Sequence, residues 1–182
     1  MAEAAAAAVL LAAEKPDLIV SSDLSRAMLT AQALADVTGL PITNDIRLRE
    51  SNLGRWEGLT RTEVERQFPE EWQRWRSGAS ARRGGGELHG EVAERAHAAA
   101  ADADGQTVVL VTHGGTARVL TARLLGLPAA TWRVIAPLAN CHWTDLRREP
   151  AGWRLDRHNV GPFPEPEPVS SAVDAEEPDE VT

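Results

Sequence analysis

A chain of 182 residues with a formal net charge of −8 is long enough for one domain with a substantial core. The acidity is local, since seven acids and no base follow Pro164 and the remainder carries 20 acids against 19 bases; no basic stripe with interleaved aromatics appears, which argues against a dedicated nucleic-acid binder. The single cysteine, Cys141, excludes an internal disulfide and points to a reducing, cytoplasmic setting, and the apolar run Ala4–Ala13 is too short to span a membrane and lacks the preceding positive charge of a secretory signal.

In chain order, Ala2–Glu14 has strong helix propensity and is broken by Lys15-Pro16-Asp17. Leu18–Ser21 reads as a short buried strand. Ser22-Asp23 then offers a helix N-cap, and apolar residues recur at Leu24, Ala27, Met28, Ala31, Leu34 and Ala35 until Gly39 stops the helix. Arg26 falls in the first turn, where a cation opposes the helix dipole unless an anion sits in the preceding loop. An ion pair with Asp23 is the plainer alternative. Pro41–Asn44 suits an edge strand, and the charged stretch Arg47–Gly58, holding Glu50 and Glu57, suits a pocket wall.

Thr60 and Glu63 form a capping box, with Leu59 and Val64 as a hydrophobic staple, and open a helix to about Gln67. A second short helix after Pro69 carries Trp72 and Trp75, which suit packing better than ligand stacking. Ser77–Gly86 reads as a mobile loop, because no strand precedes its glycines and no Gly-Lys-Ser/Thr follows. Glu87–Ala103 is an alanine-rich helix ended by Gly105.

Val108–Val111 is apolar, β-branched and too short for a helix, as in a parallel-sheet strand buried on both faces. It runs into Thr112-His113, two glycines, and a helix over Thr116–Leu125. That order sets the His113 imidazole at the carboxyl end of a core strand beside free helix N–H groups, where open α/β sheets bind ligands and helix N-termini favour anions. A histidine that merely bonds a loop carbonyl is the competing reading. Pro128–Val134 suits a helical turn, and Leu138–Leu146 and Trp153–His158 suit an antiparallel hairpin closing the sheet edge. From Pro162 the proline-rich acidic composition is that of a disordered tail, so the expected organisation is a domain over residues 1–161 and a tail over 162–182.

Three ordered blocks then carry a resemblance. They are Ile19-Val20-Ser21-Ser22-Asp23-Leu24-Ser25-Arg26-Ala27 with Thr30-Ala31; Leu48-Arg49-Glu50 running through Gly54 to Trp56-Glu57-Gly58-Leu59-Thr60; and Val111-Thr112-His113-Gly114-Gly115. Together they resemble the histidine phosphatase (phosphoglycerate mutase-like) superfamily, with most similarity to its glucosyl-3-phosphoglycerate phosphatase branch. The resemblance implies a three-layer α/β/α sandwich with a mostly parallel sheet and a C-terminal antiparallel hairpin. It also implies hydrolysis of a phosphate monoester through a phosphohistidine without metal or organic cofactor. The expected ligand is a small phosphorylated metabolite of the sugar phosphate or glycerate phosphate kind. By motif, Arg26 and Gly114 belong to the phosphate pocket, His113 is its second histidine, and Glu50 is the proton donor to the leaving alcohol. Glu57 is expected to be structural, beside Trp56.

Family members open with a strand ending in Arg-His-Gly, whose histidine is the nucleophile, and no such tripeptide occurs in this sequence. The expectation is therefore a fold lacking its first strand, with a groove of unpaired backbone groups left in the sheet. Three explanations stay open: a start site placed downstream of the true one, a phospholigand-binding relative without catalysis, or a chain completed by another that supplies the strand. A mutase is a less suitable activity, because the segment after Glu50 follows the phosphatase pattern.

Overall fold

The computed structural model describes residues 2–78, 81–103 and 106–162. Helix α1 (Ala2–Ala13) turns Ala4, Ala7 and Ala8 inward at helical spacing and packs along α2 (Ser25–Thr38), which follows strand β1 (Leu18–Ser21). Gly39 closes α2 in the left-handed conformation at φ 74° and returns its N–H to Ala35 O, which lets the chain reverse into β2 (Ile42–Asn44). The expected N-cap differs: Leu24 occupies that position and offers no side-chain acceptor, because Ser22 and Asp23 are engaged elsewhere in the loop.

Two short helices, α3 (Arg61–Gln67) and α4 (Pro69–Arg76), carry the tryptophans. The Thr60–Glu63 capping box is formed, and Leu59 packs against the cluster of Trp56, Val64, Trp72 and Trp75. Trp72 stacks on Trp75 with ring centroids 5.1 Å apart, so both are core residues. Helix α5 (His89–Ala101), strand β3 (Val108–Val111) and helix α6 (Gly114–Leu124) follow. The hairpin of β4 (Trp143–Glu149) and β5 (Gly152–Val160) ends the described chain. Gly105 and the acidic tail lie outside the described residues.

The parallel sheet has the order β2–β1–β3, with Ile19 opposite both Ile42 and Val109. Ile19, Val109 and Val111 join Ala8, Ala31 and Leu34 in one core cluster, and α5 and α6 pack against each other around Val92, Ala93, Val119 and Ala122. With α1–α2 and α5–α6 as the outer layers, the fold is the three-layer α/β/α arrangement. No helix among the described residues is long and apolar enough to cross a membrane.

Two expectations are corrected. The hairpin does not close the sheet, since among the described residues β4 pairs only with β5 and β3 pairs only with β1. Between the open edges lies a groove of about 1650 Å³, walled by all of β3, most of β4, and side chains of α1, α2 and α6. For the same reason every residue of β3 is half-buried, where a strand with neighbours on both edges would be covered. The second correction concerns the glycine segment. Gly84 O accepts from Arg55 N at 2.9 Å, and Gly86 approaches Asn52 O so closely that a Cβ would lie 2.0 Å from it. The stretch Gly84–Gly86 is docked onto residues 52–56 and is no loose loop, because only glycine permits two backbones to meet at that distance.

Candidate active site

The loops after β1 and β3 leave the sheet at the same edge, since the strands are parallel and in register. Ser22 N continues the pairing onto Val111 O at 2.8 Å, so the two loops depart side by side. This brings Arg26, in the first turn of α2, against His113, the N-cap residue of α6. Arg26 Nε donates to His113 Nδ1 at 3.1 Å, and His113 Nε2 lies 2.9 Å from Ser22 Oγ. Because a guanidinium only donates, Nδ1 is the bare nitrogen and the ring proton resides on Nε2, donated to the serine hydroxyl. Burial pushes the imidazole below its usual range, Glu50 draws it back, and Arg26 and Arg95 press it further down.

The Asp23–Arg26 pair is not formed. Asp23 instead takes a two-pronged contact from Arg49, with Nε at 2.7 Å and Nη2 at 2.5 Å. That contact ties the β1 loop to the segment carrying Glu50. The Glu50 carboxylate rests on the start of α6: Gly115 N donates to Oε2 at 3.0 Å, Ser51 N to Oε1 at 2.8 Å, and the Thr116 hydroxyl reaches Oε1 at 3.0 Å. A helix N-terminus is a natural seat for an anionic group. A Cβ at Gly115 would lie 2.8 Å from Glu50 Oε1, so a larger residue there would displace the carboxylate. Gly114 opens α6 on the cavity wall, and Leu138 O would stand 3.1 Å from any Cβ it bore.

Arg26, Glu50, His113 and Gly114 therefore share one wall of the groove, at the carboxyl ends of β1 and β3. Glu57 stands apart and accepts from Leu53 N at 3.2 Å within its own turn, beside buried Trp56. Sequence reasoning missed Ser22, read as a cap, and Arg95, hidden in an alanine-rich helix. Arg95 donates to Arg47 O at 2.6 Å, Arg49 O at 2.7 Å and Glu50 O at 3.1 Å while pairing with Glu87. It fixes the backbone of the Glu50 segment from below. Three carbonyls served by one side chain leave no local pattern in a sequence.

This geometry has counterparts. The glucosyl-3-phosphoglycerate phosphatase of Mycolicibacterium vanbaalenii is 44% identical over 181 residues, covering 87% of this chain and 80% of that protein. A probable phosphoglycerate mutase of Salmonella typhi is 34% identical over 144 residues, covering 74% of this chain and 65% of that one. The solved complex of a mycobacterial glucosyl-3-phosphoglycerate phosphatase with inorganic phosphate superposes with a TM-score of 0.80 at 39% identity, over 87% of this chain and 84% of that one. The family model described as histidine phosphatase superfamily (branch 1) matches residues 1–161, and the chain belongs to that superfamily.

Proposed function

We propose that the protein is a phosphatase that hydrolyses a phosphate monoester through a phosphohistidine. The observation that carries this reading is the convergence of Arg26, His113 and Glu50 on one wall, two of them in direct contact, where α6 begins. In this reading phosphoryl oxygens settle against the Arg26 guanidinium and take the His113 Nε2–H from Ser22 Oγ, and this fixed positive charge and dipole stabilise the charge spread over the equatorial oxygens. A second imidazole attacks phosphorus, the ester P–O bond breaks, and the protonated Glu50 carboxyl gives its proton to the departing alcohol. The resulting Glu50 carboxylate then takes a proton from water, whose oxygen attacks the phosphohistidine and releases inorganic phosphate. Ser51, Gly115 and Thr116 hold that carboxyl in place throughout.

The attacking imidazole is not among the histidines of the described site. His89 opens α5 and His97 lies along it, His142 on the groove lining has its Nδ1 2.8 Å from Asn140 O, and His158 is tied to Thr144 Oγ1 at 2.8 Å and Ala136 O at 2.9 Å inside the hairpin. We place the nucleophile on an extended segment seated in the groove between β3 and β4. Both open edges face that space, and a strand running parallel to β3 ends at the same wall as His113. Similarity to phosphatases of glucosyl-3-phosphoglycerate favours a phosphorylated sugar or glycerate as substrate, and the lone cysteine favours the cytoplasm.

Turnover of a generic aryl phosphate tests this. The 182-residue chain is expected near background, and an N-terminal extension supplying a strand that ends in Arg-His-Gly is expected to restore activity. Robust turnover by the 182-residue chain, abolished in His113→Ala, would mean that His113 is the nucleophile. Phosphate binding without turnover in the extended form would leave a binding protein instead.

A further inference from the structure

Ser22 is fully buried, and its hydroxyl is aimed at His113. His113 Nε2 lies 2.9 Å from Ser22 Oγ, and Arg26 Nε donates to Nδ1 at 3.1 Å, so both ring nitrogens are engaged in the empty pocket. A buried serine against a histidine suggests a nucleophile and its base, but the proton sits on the wrong nitrogen for that role. An imidazole that activates a hydroxyl offers it a bare nitrogen and keeps its own proton on the other. Here Arg26 requires the bare nitrogen to be Nδ1, so Nε2 carries the proton and Ser22 accepts it.

Ser22 cannot follow the ring. Its N–H is committed to Val111 O at 2.8 Å, Ser21 Oγ holds its carbonyl at 2.9 Å, and Leu24 N reaches its Oγ at 3.4 Å. A phosphoryl oxygen that takes the Nε2–H must therefore break the bond to Ser22. His113 is only 8% exposed, so water is a poor substitute for either partner.

We propose that Ser22 is a positioning residue that competes with phosphate for the His113 N–H, holding that proton in the empty pocket and easing release of the phosphate product. This rests on the phosphate pocket assigned above. With Ser22 present, binding exchanges one hydrogen bond for another. Without its hydroxyl the empty chain keeps a buried N–H unpaired, and the ligand relieves it. Removing the hydroxyl thus tightens phosphate binding while lowering stability. Removing a residue that merely braces the pocket would loosen binding instead.

The test is calorimetric titration of the 182-residue chain with inorganic phosphate at neutral pH. Ser22→Ala is expected to bind about tenfold tighter, the size of one buried donor left unpaired in the free state. Ser22→Cys, close in volume but a weak acceptor, is expected to gain less. Ser21→Ala loosens the same loop without touching His113 and is expected to give no gain. Unchanged or weaker binding in Ser22→Ala overturns the proposal, and so does an equal gain in Ser21→Ala. In a His113→Ala background there is no N–H to compete for, so a gain from Ser22→Ala that persists there also overturns it. Long-range proton–nitrogen NMR spectra of the free chain are expected to show a bare Nδ1 and a protonated Nε2 on His113, and the opposite tautomer overturns it as well. Far-UV circular dichroism checks the fold of each variant. Should Ser22→Ala fail to fold, a folded Ser22→Cys chain that binds no tighter than its parent overturns the proposal. Arg26→Gln tests the pocket by itself: weaker phosphate binding supports that pocket, and unaltered affinity would overturn it whatever Ser22→Ala does.

Discussion

Gly115→Ala pits two effects of opposite sign against each other. In a helix the change is ordinarily favourable by up to about 1 kcal/mol. Here the new Cβ would lie 2.8 Å from Glu50 Oε1 and 3.1 Å from Oε2, so the carboxylate must move. Moving it breaks the bond from Gly115 N and strains the one from the Thr116 hydroxyl, both 3.0 Å long. Hydrogen bonds to a charged group are worth about 1.5–3 kcal/mol each, and water recovers part of the loss because Glu50 is only half-buried. The steric side wins, and a net destabilisation of about 2 kcal/mol is expected, or a fall in Tm of about 4–8 °C for a domain of this size. Urea unfolding measures it, and a double-mutant cycle isolates the cause. In a Glu50→Ala background the clash is gone, so Gly115→Ala becomes neutral or stabilising. A Gly115→Ala protein as stable as its parent, or an equal loss in the Glu50→Ala background, would refute the claim that a Cβ at Gly115 displaces the carboxylate.

Arg95→Met keeps the aliphatic stem but strips three carbonyls of their donor and leaves Glu87 without its partner. A loss of about 3 kcal/mol in denaturant unfolding is expected, together with weaker phosphate binding, because the Glu50 segment loosens. Unaltered phosphate affinity would show that Arg95 only braces the fold. His89 gives a pH signature. Burial, then Arg83, Arg118 and Arg133, push its folded-state value down to about 3, below the 6.5 of a free imidazole, so between those limits the unfolded chain binds the extra proton and acid destabilises the fold. Stability from this group is complete above about pH 6.5 and falls by up to about 1.4 kcal/mol per pH unit below it. His89→Gln should flatten that part of the stability curve, and parallel curves for the two proteins would contradict the half-buried neutral imidazole.

Elements whose signals are local were legible in the chain. Apolar β-branched runs marked β1 and β3, Gly39 marked the end of α2, and Thr60 with Glu63 marked the start of α3. The ordered motifs around Arg26, Glu50 and His113 singled out three side chains that the fold gathers on one wall of the groove. Tertiary structure decided which partner each charged group takes. Asp23 chose Arg49 over the nearer Arg26, and Ser22 served His113 rather than capping α2, because parallel pairing of β1 with β3 brings Ser22 and His113 together across 91 positions of sequence. The glycine segment was misread for the same reason: local composition signals conformational freedom, while the backbone of residues 52–56 that removes it lies some thirty residues away. Short-range propensity is written residue by residue, but burial and pairing belong to the assembled sheet. Only the fold could therefore reveal Arg95 beneath Glu50.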